Sequence, residues 1–319
     1  MIIHLVKAQT ESEWEEIISH DKYIDQLLMD REIVDEGRII DIFGTAYRNL
    51  IDKSPTGKYA NGLINDTTEK YVNGLINIDL RRARLFKSLN AWGCEANTFV
   101  EIGFACIGID RFKLARACFE KARMVSTRSF LLKAEVESMV GLAIVCLETG
   151  VATSVAGATR HDGLNMLRSA ICASTLITDK SRVQQLYAHR SLLHYLLQSE
   201  DTLDEALEEA AIFHALASQT SIDLDELIVT EVHAYIIMAR VYHLQYNHEK
   251  FQEIVVEMLG KMREGRTTTK FVADEMLLAL NAYGGVIYEA VTVSRLIPTE
   301  TRKQWDTEVC ALRTIAGVT

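Results

Sequence analysis

Apolar residues return along this chain at three- and four-residue intervals almost without a break, and alternating stretches of strand type are few. The period predicts an all-α protein. From Ser12 to about Leu28 the residues Trp14, Ile17, Ile18, Tyr23 and Leu27 form one stripe. Glu11, Glu13, Glu15 and Glu16 load its first turn, where the helix dipole favours anions. A second helix is expected from Arg31 to Ile51, closed by the breaker Lys53-Ser54-Pro55-Thr56-Gly57. Further on, the pattern predicts helices over Ser181–Gln198, Glu226–Tyr246, Phe271–Ser294 and Thr299–Ile315. Pro298 is placed to end one and begin the next.

Residues 58–65 (Lys-Tyr-Ala-Asn-Gly-Leu-Ile-Asn) recur at 70–77 as Lys-Tyr-Val-Asn-Gly-Leu-Ile-Asn. The Asn-Gly pair allows a hairpin turn, whereas a twelve-residue shift also suits two helical faces; the helical alternative is preferred. Neither carries chemistry.

Residues 96–127 read as helix, turn, helix. Phe99, Ile102, Gly103 and Cys106 fall on the buried face of the first helix, and Phe112, Ala115, Phe119 and Ala122 on that of the second. Gly103 and Ala115 have almost no side chain, so the two helices can cross closely while Phe119 fills the space beside them.

In Phe99, Ile102, Gly103, Ala115, Phe119 and Ala122 the segment resembles the tetratricopeptide repeat, with Cys106 in place of the usual Tyr and Thr127 in place of the closing Pro. Fainter units follow. Val140-Gly141 repeats Ile102-Gly103 thirty-eight residues on. Met166, Ala170 and Ala173 keep the second-helix spacing after an insertion from Gly150 to Asp162. Ala206, Ala210 and Phe213 keep it again, with His194 where the Gly belongs, and so do Ile254 and Met258. The resemblance implies a right-handed α-solenoid of antiparallel helical hairpins over residues 91–262, between an N-terminal helical region (1–90) and C-terminal capping helices (263–319). It also implies a groove lined by first helices, near Asn97, Glu101, Phe104 and Glu137.

Two prolines in 319 residues and 48% apolar content suit long helices around a sizeable core. No run reaches the roughly 20 apolar residues that cross a bilayer, and the N-terminus lacks the basic head of a signal peptide. A cytoplasmic protein off the membrane is expected. The six cysteines include no C-x-x-C pair, and most read as small core residues.

No His, Cys and carboxylate set stands at metal-ligand spacing, and no glycine loop carries the Lys and Ser/Thr of a phosphate-binding turn. His189 and His194, five apart on one helix, point in different directions, as do His243 and His248, and each reads as an ordinary helix residue. The expectation is a non-enzymatic protein without metal or cofactor.

Charge changes the picture most. Residues 80–133 hold eleven Lys and Arg against four Asp and Glu, in a chain whose total is −10. Acids gather at 11–36, ten against two bases, and at 199–231, ten against none. In a solenoid, separation along the chain becomes separation in space. Arg81, Arg82, Arg84, Lys87, Arg111, Lys113, Arg116, Lys121, Arg123 and Arg128 are expected to face outward.

Three uses of such a surface stand open: solvated or intramolecular pairing, contact with structured RNA or a ribonucleoprotein such as the ribosome, and an acidic protein partner. No DNA signature appears. The preferred expectation is a protein that binds a partner protein or docks on a larger assembly, with RNA binding as the alternative and peptide sensing as a third.

Overall fold

The computed structural model describes residues 15, 33–53, 66–150, 160–177, 182–217, 224–265 and 299–316. Every regular element among them is helical: α1 (Ile33–Lys53), α2 (Asp66–Ser88), α3 (Trp92–Ile107), α4 (Phe112–Ser129), α5 (Leu132–Thr149) and α6 (Arg160–Ser174). Then come α7 (Val183–Leu196), a 3-10 turn (Glu200–Thr202), α8 (Leu203–Ala217), α9 (Leu224–Leu244), α10 (His248–Gly265) and α11 (Thr299–Ala316). The expected helices at 12–28 and 271–294 and the first duplicate at 58–65 lie outside the described residues. The second duplicate, 70–77, is part of α2.

The chain divides into two compact units, Met1–Ala173 and Ser174–Thr319. Within the first, α1 packs on α2, α2 on α3, α3 on α4 and α4 on α5, and α5 also touches α3. Connections of two to four residues at 89–91, 108–111 and 130–131 force these neighbours to run antiparallel. Helices α3 and α5 therefore lie side by side with α4 crossing behind them.

One aromatic ring holds the three together. Phe119, fully buried on α4, lies against Gly103 of α3 and Gly141 of α5. A Cβ added at Gly103 would stand 2.6 Å from the ring, and one at Gly141 closer still. Ile102, Ala115 and Ala122 are buried around it, Phe99 is half-buried against the same cluster, and Phe104 meets Phe119 edge-on at 4.9 Å. The same device recurs on either side: a Cβ at Gly74 of α2 would strike the Tyr47 ring of α1, and one at Gly163 of α6 the side chain of Leu147.

The helix ends of this unit share a second regularity. Asn90, Asp110, Phe130 and Gly150 all adopt left-handed backbone, at intervals of twenty residues. After three of them the next amide donates five residues back: Ala91 to Phe86, Arg111 to Cys106 and Leu131 to Ser126, at 2.8–2.9 Å. That bond caps the last carbonyls of a helix and turns the chain sharply.

In the second unit α7 to α11 also pack in sequence. Ala206, Ala210, Phe213, Ile254 and Met258 are buried there, as their spacing predicts.

Candidate interaction surfaces

Charge in the first unit is sorted by helix. Helix α4 carries five cations against Glu120 alone, and α2 five against three acids. Helix α3 has two acids and no cation, and α5 three acids and Lys133. Apart from Arg111 in the turn before α4 and Lys133 on α5, the cations of the basic segment thus belong to α2 and α4, and the groove positions to α3 and α5. At about 100° per residue the five cations of α4 fall on one half of the helix, because Phe119, Ala115 and Ala122 claim the other.

Of the ten cations expected to face outward, Arg82 does not. Its guanidinium side chain is 11% exposed, donating to Asp79 at 2.6 Å and Asp41 at 3.1 Å. The reason is Asp79, a buried carboxylate on α2 that needs countercharge. Burial pushes its pKa up, and Arg82 and Arg48 oppose that shift. Arg48 approaches Asp79 at 3.5 Å and reaches Glu101 at 3.8 Å. Arg111 approaches Glu69 at 3.8 Å, and Arg116 donates to Glu120 at 2.9 Å, one turn on. Arg81 is half-buried. Arg84, Lys87, Lys113, Lys121, Arg123 and Arg128 form no ion pair among the described residues, and all but half-exposed Lys121 face solvent.

The groove candidates divide likewise. Asn97 and Glu101 are exposed on α3, whereas Glu137 is half-buried and Phe104 packs on Phe119. Phe104 therefore belongs more to the core than to a groove wall.

Sequence reasoning missed a feature at one end of this unit. Leu89, Trp92 and Phe130 are 50%, 43% and 92% exposed on the α2–α3 and α4–α5 turns. These turns touch, since a Cβ at Gly93 would lie 4.0 Å from both methyls of Leu131. A twenty-residue recurrence of Asn, Asp and Gly at the turns was the legible signal, with Phe130 as its exception.

Three cysteines, Cys106, Cys118 and Cys146, are buried, but Cys94, Cys172 and Cys310 are exposed, so half and not most are core residues. The exposed three occupy solvent-side positions of their helices. Burial raises the Cys106 thiol to about 11 and Cys118 to about 12, which suppresses the reactive thiolate.

In the second unit, His189 of α7 pairs through Nδ1 with Glu209 of α8, and its Nε2 is buried with no hydrogen-bond partner among the described residues. Lys261 meets Glu231 at 2.9 Å and Arg263 meets Glu308 at 3.1 Å. Burial, then neighbouring His248, lowers the pKa of His243. No group of three or more potential metal ligands occurs among the described residues.

Compared with known proteins, the chain matches no family model and no curated sequence. Among the described residues no helix is long and apolar enough to cross a membrane.

Proposed function

We propose that the chain is a non-enzymatic, cytoplasmic interaction protein whose residues 91–262 form a tetratricopeptide-like, right-handed solenoid. Residues 1–90 precede it as a helical region and 263–319 close it. The solenoid binds a partner protein or seats on a larger assembly. The supporting observation is the Gly103–Phe119–Gly141 arrangement, in which one ring serves a hairpin and the first helix of the next. That device extends a stack and leaves an outer surface to offer. Asn97 and Glu101 on α3 are the exposed groove positions. The test is affinity capture from nuclease-treated lysate read by mass spectrometry. A protein at stoichiometric yield supports the reading, and recovery of nucleic acid alone rejects it.

A second reading has its own support. The sorting of unpaired cations onto α2 and α4 favours RNA or a ribonucleoprotein, because phosphates are held by exposed Arg and Lys. Substituting Glu at Arg116, Lys121 and Arg123 together should abolish RNA association and its salt dependence; unchanged binding rejects this second reading.

A further inference from the structure

Phe130 is doubly unfavourable where it stands. Its backbone is left-handed (φ 57°, ψ 40°), a conformation that disfavours a bulky side chain, and its ring is 92% exposed. The equivalent turns use Asn90, Asp110 and Gly150, the residues that tolerate this geometry. Tyr246 of the second unit shares the backbone and the exposure, so the backbone alone singles out nothing. The difference lies in the surroundings. Beside Tyr246, Glu249 opens α10 and Lys250 is paired with Glu253, whereas the turn of Phe130 touches the one that carries Trp92 and Leu89, with Lys87 and Arg128 in the last turns of α2 and α4.

Little negative charge offsets these cations. Glu95, the acid in the first turn of α3, is buried, and Glu135, in the first turn of α5, is half-buried and accepts a hydrogen bond from Thr127. From Arg128 the cations continue along α4 through Arg123 and Lys121 to Lys113, a span of roughly 22 Å at 1.5 Å per residue in which the one acid, Glu120, is paired with Arg116.

We propose that this end of the first unit binds single-stranded RNA, stacking unpaired bases on Trp92 and Phe130 while Lys87, Arg123 and Arg128 hold backbone phosphates. The inference rests on the RNA reading above and narrows it. A polymer that repeats one negative charge per residue fits a long cationic track, and a strand with free base faces also covers two exposed aromatic rings. A duplex keeps its bases stacked inside and would leave both rings uncovered. An acidic protein segment would meet the cations but has no need of the length of the α4 track.

The test is fluorescence anisotropy of the full chain with a labelled 20-nucleotide polyuridylate, a 20-base-pair RNA duplex, and, by sedimentation, vesicles containing phosphatidylserine. The expected result is salt-sensitive binding of the single strand in preference to the duplex, quenching of tryptophan fluorescence that is lost in Trp92→Ala, and about tenfold weaker binding for Trp92→Ala and for Phe130→Asn. Asn suits left-handed backbone, so loss of binding in Phe130→Asn cannot be laid to unfolding. If both aromatic variants bind as the parent while Arg123→Glu with Arg128→Glu weakens binding, the stacking proposal fails and the cationic reading survives. If neither RNA binds, both fail. Binding to vesicles without binding to RNA overturns the proposal in favour of a membrane surface.

Discussion

The two units stack helices in sequence, but they bring them together by different means. In the first, glycines let helices approach until a neighbouring bulky side chain fills the space: Gly103 and Gly141 around Phe119, Gly74 on Tyr47, Gly163 on Leu147. In the second, Gly260 has nothing within 4 Å of its would-be Cβ. There the buried small residues are alanines, Ala188, Ala206, Ala210, Ala234 and Ala239; the His189–Glu209 hydrogen bond links α7 to α8, and ion pairs link α9 to α10 and α10 to α11. Glycine packing gains dispersion contacts that fade steeply with any gap. Charge pairing between helices depends on both partners being present. Both units should therefore be sensitive to lost partners, since Arg82–Asp41 and Arg48–Asp79 also join α1 to α2, but only the first to volume added at its glycines.

The largest effects test volume. Phe119→Ala should cost about 3–5 kcal/mol, and so should Phe213→Ala in the second unit, because both empty a fully buried site. The units should separate at the glycines. Gly141→Ala should cost about 1–3 kcal/mol by collision with the Phe119 ring, and much less in a Phe119→Ala background. Urea unfolding of the two singles and the double gives the coupling. Additive effects would mean that Phe119 does not fill the space at Gly141.

This clamp was the part of the fold most legible in the sequence. Gly103, Ala115, Phe119 and Ala122 read as close packing because small residues at helical spacing beside one large aromatic leave few alternatives. Val140-Gly141 was legible as a repeat of Ile102-Gly103, though nothing in the spacing said that both glycines would share one ring. Of the candidate surface, the cations were legible as a charge excess but not their division between layers. That division depends on which helices alternate, a property of packing. Arg82 was misread because its partner Asp79 sits among Ile78 and Leu80, and composition does not reveal that a carboxylate there turns inward. The exposure of Phe130 was illegible for the opposite reason: a Phe before Leu131-Leu132 reads as core, and only the left-handed turn points it into solvent.

Removing a partner comes next in size. Asp79→Ala should cost about 3 kcal/mol or more, since Arg82 would keep a mostly buried charge with only exposed Asp41 beside it. Glu209→Ala in the second unit should cost about 1–3 kcal/mol, because His189, whose Nε2 already lacks a partner among the described residues, would lose its bond at Nδ1 as well. Chemical denaturation of both variants ranks them. A neutral Glu209→Ala would show that the second unit does not depend on that pair.

The same two regions should differ in the sign of one pH response. Folding raises the Asp79 pKa above 3.8, chiefly by burial and against the pull of Arg82 and Arg48. The folded state then holds the proton more tightly than the unfolded one, so stability contributed by Asp79 is present below 3.8 and lost as pH rises through the raised value. His243 is the reverse. Burial and His248 lower its pKa from 6.5, so its contribution is present above 6.5 and lost as pH falls through the lowered value. Thermal unfolding followed across pH should lose one slope in Asp79→Asn and the opposite slope in His243→Gln. Unchanged profiles would remove either group from the account.

The smallest expected effects fall at the two aromatic turns, one in each unit. Phe130→Asn and Tyr246→Asn each replace a bulky residue in left-handed backbone by one that adopts it readily, and each should stabilise its unit by about 1 kcal/mol, raising the melting temperature. Equal gains would show that the two turns differ only in what surrounds them: Lys87 and Arg128, unpaired among the described residues, with Trp92 near Phe130, and Glu249 with the Lys250–Glu253 pair near Tyr246. RNA binding should then fall in Phe130→Asn and stay level in Tyr246→Asn, separating strain shared by both turns from a surface that only one of them carries. A loss of stability on either substitution would mean that the aromatic ring contributes to its own unit, and the strain argument at that turn would fail.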